Sequence, residues 1–232
     1  MFFDPLYFMM IAPALVLSVW ASFRVKSQFN KYSNVRTSTG MSGAEAAVKI
    51  LHASGLSNIR VERADGFLSD HYDPTGKVLR LSSDVYDGRS IASVGVAAHE
   101  AGHAIQDKVH YSMLSLRTAL VPTANIGSNM SWFILMAGFF MQMQGLIIAG
   151  IVLFSAVVLF QLVTLPVEFD ASARAKSILW ESGIITQKAE RDGVASVLNA
   201  AAMTYVAAAV SAVVTLLYYL IRSGLLGGRS DD

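Results

Sequence analysis

His99-Glu100-Ala101-Gly102-His103 sets two imidazoles four residues apart with a carboxylate between them. On a helix, residues i and i+4 share a face, so His99 and His103 point the same way. Two neutral imidazole nitrogens on one face can hold Zn²⁺ at about 2.0–2.1 Å, and Glu100 beside them becomes a candidate general base for water. The pentapeptide therefore points to zinc-dependent hydrolysis. The competing reading, two chance histidines on an ordinary helix, leaves Glu100 costly to bury with no metal or proton to share.

The flanks suit a helix. Ser90 can serve as N-cap, and Ile91, Val94, Ala98 and Ile105 fall near helical spacing. Small residues dominate the run, as a helix packed tightly beneath a sheet requires, although Gly95 and Gly102 cost some helix propensity.

Upstream the pattern is α/β. Met41–Ser54 carries Ala47, Val48, Ile50 and Leu51 on a helical stripe that stops at Gly55. Asn58–Glu62 and Lys77–Ser82 alternate like strands, and Asp73-Pro74-Thr75-Gly76 has turn chemistry, so Leu68–Leu81 is expected to form a hairpin or irregular arm. The strand Lys77–Ser82 is expected at the sheet edge, where its backbone can hold an extended peptide.

The 232 residues are 53% hydrophobic, with a mean hydropathy of +0.47, an excess over ordinary soluble domains. The excess is concentrated in Pro5–Phe23, Ala119–Met141, Gly145–Leu165 and roughly Ala201–Ile221, each long enough to span a bilayer. No basic residue precedes the first of these and no convincing cleavage site follows it, so it reads as a permanent anchor. Twelve basic residues lie between Arg24 and Arg117 and four between Arg174 and Arg191, while the Gln142-Met143-Gln144 loop has none. By the positive-inside rule, 24–117 and 166–200 face the cytoplasm, with Arg222 and Arg229 outside. Asn125 and Asn129 are expected to line a seam between helices. Beyond the third span, Asp170–Glu181 reads as a helix broken at Ser182-Gly183, and Gln187–Leu198 as the start of one running into the fourth span. A net charge of +1 without a basic-aromatic pattern gives no case for nucleic acid.

Catalytic zinc needs a third protein ligand. With no cysteine, only histidine or carboxylate remains. His110 follows His103 by seven residues where extended motifs place a third histidine at six, with Gln106 where they place a glycine; Asp107 is the only acid between His103 and Glu168. Glu168 is distant in sequence, yet a hairpin of the second and third spans returns the chain to the membrane surface it left. Glu168 and Asp170 can alternatively be read as acids favoured by the first turn of a helix.

Pro166-Val167-Glu168-Phe169-Asp170-Ala171-Ser172-Ala173-Arg174-Ala175, taken with Ala97–Gln106, Leu68–Pro74 and Leu79–Ser82, resembles the neutral zinc metallopeptidases of the YugP type across nearly the whole chain. The layout is also similar to the HtpX and CAAX prenyl endopeptidase group. The resemblance implies a multi-pass membrane protein with a zincin fold, and a glutamate after a transmembrane hairpin, here Glu168, as third ligand. That second group has a supporting aspartate four residues beyond the glutamate; this chain has Ser172, which can give a weaker hydrogen bond, and Asp170 points away on a helix.

His71 can reach the site as a hydrogen-bond donor to the transition state or simply face solvent from its turn. Arg174 can contact an oxyanion or substrate carboxylate or be a solvated helix charge, and His52 reads as structural. The expected fold class is α+β: a zincin-like metalloprotease domain, mainly helical, with a small sheet and about four transmembrane helices. The expected division is an anchor at 1–23, a zincin subdomain at 24–117, a transmembrane hairpin at 118–165, a helical segment carrying the third ligand at 166–200, and a final transmembrane helix and tail at 201–232. The expected activity is endopeptidase action on membrane or membrane-proximal proteins at the cytoplasmic face of the cell membrane, with Zn²⁺ on His99, His103 and Glu168 and with Glu100 as base. A catalytically silent scaffold with a structural zinc is the alternative; a transporter is disfavoured by spans almost free of charge.

Overall fold

The computed structural model describes residues 4–66 and 69–226. Leu68, at the start of the expected arm, and Arg229 lie outside the described residues. Helices α1 (Pro5–Ser33) and α2 (Gly43–Ala53) precede strands β1 (Arg60–Ala64), β2 (His71–Asp73) and β3 (Val78–Ser82). A short α3 (Ser83–Tyr86) leads to α4 (Ile91–Lys108), α5 (Ser112–Met141), α6 (Gln144–Glu181) and α7 (Lys188–Arg222). The chain forms two compact units: Met1–Trp20, Leu116–Pro166 and Thr204–Asp232 in one, Ala21–Ser115 and Val167–Met203 in the other.

The second unit is built around α4. Ser90 caps it as expected, its hydroxyl accepting from the Ser93 N–H at 3.1 Å. Ala92, Val94, Ala97, Ala98, Ala101 and Ala104 are buried in a core shared with Ile50, Leu51, Leu79, Leu81, Leu179 and Val197. Helix α2 packs on α4 and opens with a reciprocal cap: Ser42 Oγ accepts from the Glu45 N–H at 3.2 Å, and Glu45 Oε2 accepts from the Ser42 N–H at 2.8 Å. A Cβ at Gly43 would overlap the Val85 carbonyl, so only glycine lets the chain start α2 there.

The sheet has the order β1-β3-β2. β1 runs parallel to β3, with Val61 opposite Leu79; β2 runs antiparallel to β3, with Tyr72 also opposite Leu79. The expected turn is there: Asp73 Oδ1 accepts from the N–H groups of Thr75 at 2.9 Å and Gly76 at 3.0 Å, folding β2 back on β3. This corrects the expectation that the Lys77–Ser82 strand forms the edge. β3 is central and β1 and β2 are the edges, because strand pairing on both sides outweighs what alternation along one strand can reveal.

In the first unit, α5 and α6 form the expected hairpin. Its tight turn has Gln142 in the left-handed region (φ 55) and the Met143 N–H bonded to the Gly138 carbonyl at 2.9 Å. Ala124, Gly127, Ser131, Leu135 and Gly138 are the buried stripe of α5. A Cβ at Gly127 would stand 2.8 Å from the Leu153 carbonyl oxygen, so the seam is made by small residues that admit a backbone. Asn125 and Asn129 are exposed instead of lining that seam; the Asn129 carboxamide donates to its own helix, at the Asn125 carbonyl, at 2.9 Å.

Among the described residues three helices, α1, α6 and α7, are long and apolar enough to cross a membrane. The fourth expected span is helical, as α5, but Asn125, Ser128, Asn129 and Ser131 dilute its apolar character. One further boundary differs and another is as expected. α6 continues without a break from the apolar segment through Pro166 to Glu181, where a separate Asp170–Glu181 helix was expected, and α7 carries the expected Gln187–Leu198 helix directly into the last apolar segment.

Candidate metal centre

Helix α4 presents His99, Gly102 and His103 on one face, at i, i+3 and i+4; α6 presents Glu168, Ala171 and Ser172 with the same spacing. The faces meet because Gly102 has no side chain. A Cβ there would stand 2.7 Å from the Ala171 carbonyl oxygen, so the backbone of α6 lies directly on the motif helix. His99 Nε2 then lies 3.2 Å, and His103 Nε2 3.6 Å, from Glu168 Oε2. The imidazoles are nearly perpendicular, at 82°, with centroids 4.8 Å apart. His103 and Glu168 are buried, Glu168 to 2% exposure.

This arrangement fits zinc. Two donors about 2.1 Å from one tetrahedral centre stand about 3.4 Å apart, which the two nitrogen–oxygen distances bracket. One atom from each of the three residues falls within 4.8 Å of the others. The electrostatics agree. Burial pushes the Glu168 carboxyl up, but the two imidazoles outweigh it and hold it far below the usual carboxylate range. Burial pushes His103 down, yet hydrogen bonding to Glu168 and the charges of Glu100 and Glu168 raise it. The pocket draws positive charge to itself, and a divalent cation satisfies that demand more fully than a proton.

The far side of each ring is also held. Ser172 Oγ lies 3.1 Å from His99 Nδ1, as its position four residues after Glu168 suggests. Gln106 is fully buried, with Oε1 2.9 Å from His103 Nδ1; its Nε2 donates to the Val167 carbonyl and to Asp170 Oδ2, each at 2.8 Å. Arg174 Nε donates to the same Asp170 oxygen at 2.6 Å. Asp170 does point away from the Glu168 face, as helical geometry demands, but it points at Gln106. Arg174 is brought to this network.

Glu100 is buried, at 8% exposure, and among the described residues no protein hydrogen bond engages its carboxylate. Asp70, just before β2, accepts from the Ser82 N–H at 2.8 Å and from the Ser82 hydroxyl at 3.1 Å. Burial raises the Asp70 pKa, and the charge of nearby Glu100 adds to it. His71 is exposed at the start of β2 with Nδ1 2.8 Å from the Ser69 carbonyl, and no contact joins it to the ligands. His52 is exposed near the end of α2, and His110 is exposed with left-handed φ just past α4, away from the ligand set. Sequence reasoning passed over Gln106 and Asp70. The available signal for Gln106 was its position three residues after His103, which places it on the same helix face.

A buried histidine–histidine–glutamate site of this geometry, in a chain with membrane-length apolar helices, defines a membrane-associated zinc protein. The chain belongs to the family described as "Putative neutral zinc metallopeptidase", which matches residues 7–224. It is also similar to "Putative membrane protease YugP" of Bacillus subtilis (strain 168), with 47% identity over 227 residues that cover 98% of this chain and 100% of that protein. No solved structure matches it.

Proposed function

We propose that this protein is a membrane-anchored zinc endopeptidase of the zincin type, holding Zn²⁺ on His99, His103 and Glu168 and using Glu100 as general base. The observation that carries the reading is the combination of three converging ligand atoms with the carboxylate of Glu100, a residue only 8% exposed and next in sequence to the first ligand. A structural zinc staple has no use for such a group, which disfavours the silent scaffold. Zinc, when bound, supplies electrophilic polarisation of the scissile carbonyl and acidifies water. A Glu100 carboxylate oxygen takes a proton from the attacking water as its oxygen bonds to the carbonyl carbon. The same carboxylate then passes that proton to the amine nitrogen as the carbon–nitrogen bond breaks.

The peptide substrate would add as an extended strand to the β2 edge, whose neighbour Asp70 lies near Glu100. In this reading α5 joins α1, α6 and α7 as a fourth span, and the basic stretches 24–117 and 166–200, with the site, face the cytoplasm. The deciding measurement is proteolysis by the purified protein in detergent or vesicles. The expected result is zinc-dependent cleavage that Glu100→Gln abolishes with zinc still bound; cleavage by that variant at the wild-type rate would overturn the mechanism.

A further inference from the structure

We infer that Gln106 is a positioning residue that fixes the tautomer of His103 and so prepares its Nε2 for the metal. The inference rests on the zinc-site reading above and deepens it.

A carboxamide nitrogen has two hydrogens, and those of Gln106 are both committed, to the Val167 carbonyl and to Asp170 Oδ2. The amide therefore cannot turn over without losing both bonds in a site with no solvent to replace them, since Gln106 is fully buried. Only Oε1 is left to face His103, and it can only accept. Nδ1 of His103, 2.9 Å away, therefore donates its proton to that oxygen, and Nε2, on the side where Glu168 lies, is the nitrogen left for the metal. Arg174 completes the device by holding the Asp170 oxygen on which Gln106 depends.

His99 lacks this constraint. Its Nδ1 faces the Ser172 hydroxyl, which can donate or accept and so tolerates either tautomer. The two histidines of the motif are thus unequal: His103 is prepared by the fold, whereas His99 adjusts to what is bound. Both bonds that orient Gln106 are made to α6, the helix that carries Glu168, so the orientation of one ligand is set by the element that supplies another.

The test uses the full chain in detergent, stripped with a chelator and titrated with zinc against a competing chromophoric chelator. Nitrogen-15 spectra of labelled histidine, recorded at alkaline pH, report the ring tautomers. Gln106→Leu is expected to weaken zinc binding by about 10- to 100-fold and to replace the single Nδ1–H form of His103 by a tautomer mixture. Asp170→Ala, which frees one amide hydrogen, should fall between Gln106→Leu and wild type in both readouts. Asp170→Asn keeps an acceptor oxygen in the same place and should restore wild-type affinity and tautomer. If Gln106→Leu does not fold, the Asp170 pair decides alone. Wild-type affinity with an unchanged His103 spectrum in Gln106→Leu, or in Asp170→Ala, would overturn the inference. Undiminished zinc binding by His103→Ala or Glu168→Gln would instead overturn the zinc-site reading beneath it.

Discussion

Gly102 lies against the Ala171 carbonyl with no room between them for a methyl group. Alanine is the better helix former by about 1 kcal/mol, so propensity alone favours Gly102→Ala. The obstacle is backbone, which cannot rotate aside as a side chain can. The substitution is expected to push α4 and α6 apart and destabilise the fold by about 1–3 kcal/mol. It should also weaken zinc binding, because His103 adjoins Gly102. A thermal melt alongside a zinc titration checks this; a rise in melting temperature with unchanged zinc affinity would contradict the packing argument.

Glu100→Gln retains the size of the side chain and removes its basicity. Zinc content should stay at the wild-type level while the rate of peptide hydrolysis falls by about 10²–10⁴-fold. Metal analysis paired with a cleavage assay separates the two quantities, and a loss of both together would make Glu100 part of the metal site.

Removing the metal should act on stability as well as activity. A site that binds only in the folded state stabilises by about 2.7 kcal/mol when free zinc is a hundredfold above its dissociation constant. Chelator-treated wild type is therefore expected to melt earlier and to recover on zinc addition, and Glu168→Gln, which removes a ligand charge, should respond far less. Equal responses would argue for metal bound elsewhere.

Glu190 provides the test of pH dependence. Its carboxylate accepts from the N–H groups of Ser38 at 2.5 Å, Thr186 at 2.9 Å and Gln187 at 3.1 Å, and from the Ser38 hydroxyl at 3.1 Å. Burial pushes its pKa up, but the backbone bonds outweigh that and hold it below the usual range. With the folded value depressed, the contribution is fully present above the unfolded value, about 4.3, and is lost as pH falls through the folded one. Glu190→Gln should cost about 1.5–3 kcal/mol at neutral pH, and its deficit against wild type should shrink in acid. Denaturant melts at several pH values give the comparison, and a pH-independent deficit would rule out the charge as its source.

The candidate metal residues were legible because His99 and His103 have a fixed helical spacing and no cysteine competes with them, while the hairpin and the resemblance to the YugP type together pointed to Glu168. Local signals also carried through, as at the Ser90 cap and the Asp73 turn. What escaped the sequence depends on partners distant along the chain. Gln106 looked like a misplaced glycine until α6 stood beside it, and β3 looked like an edge until β1 paired with it in parallel. Asn125 and Asn129 were assigned to a seam because polar groups in lipid need partners. The close approach is made instead by Gly127 and Gly138, whose lack of side chain gives no periodic apolar signal.

Two ligands lie at 99 and 103 and the third at 168, with all of α5 between them. A ribosome moving at about 5–20 residues per second needs about 3–13 s to travel from the second ligand to the third. During that interval the nascent chain holds two histidines and a base but no complete metal site. In the proposed reading the site is born incomplete, and the order of its residues defers metal binding until α5 and the apolar part of α6 have been made.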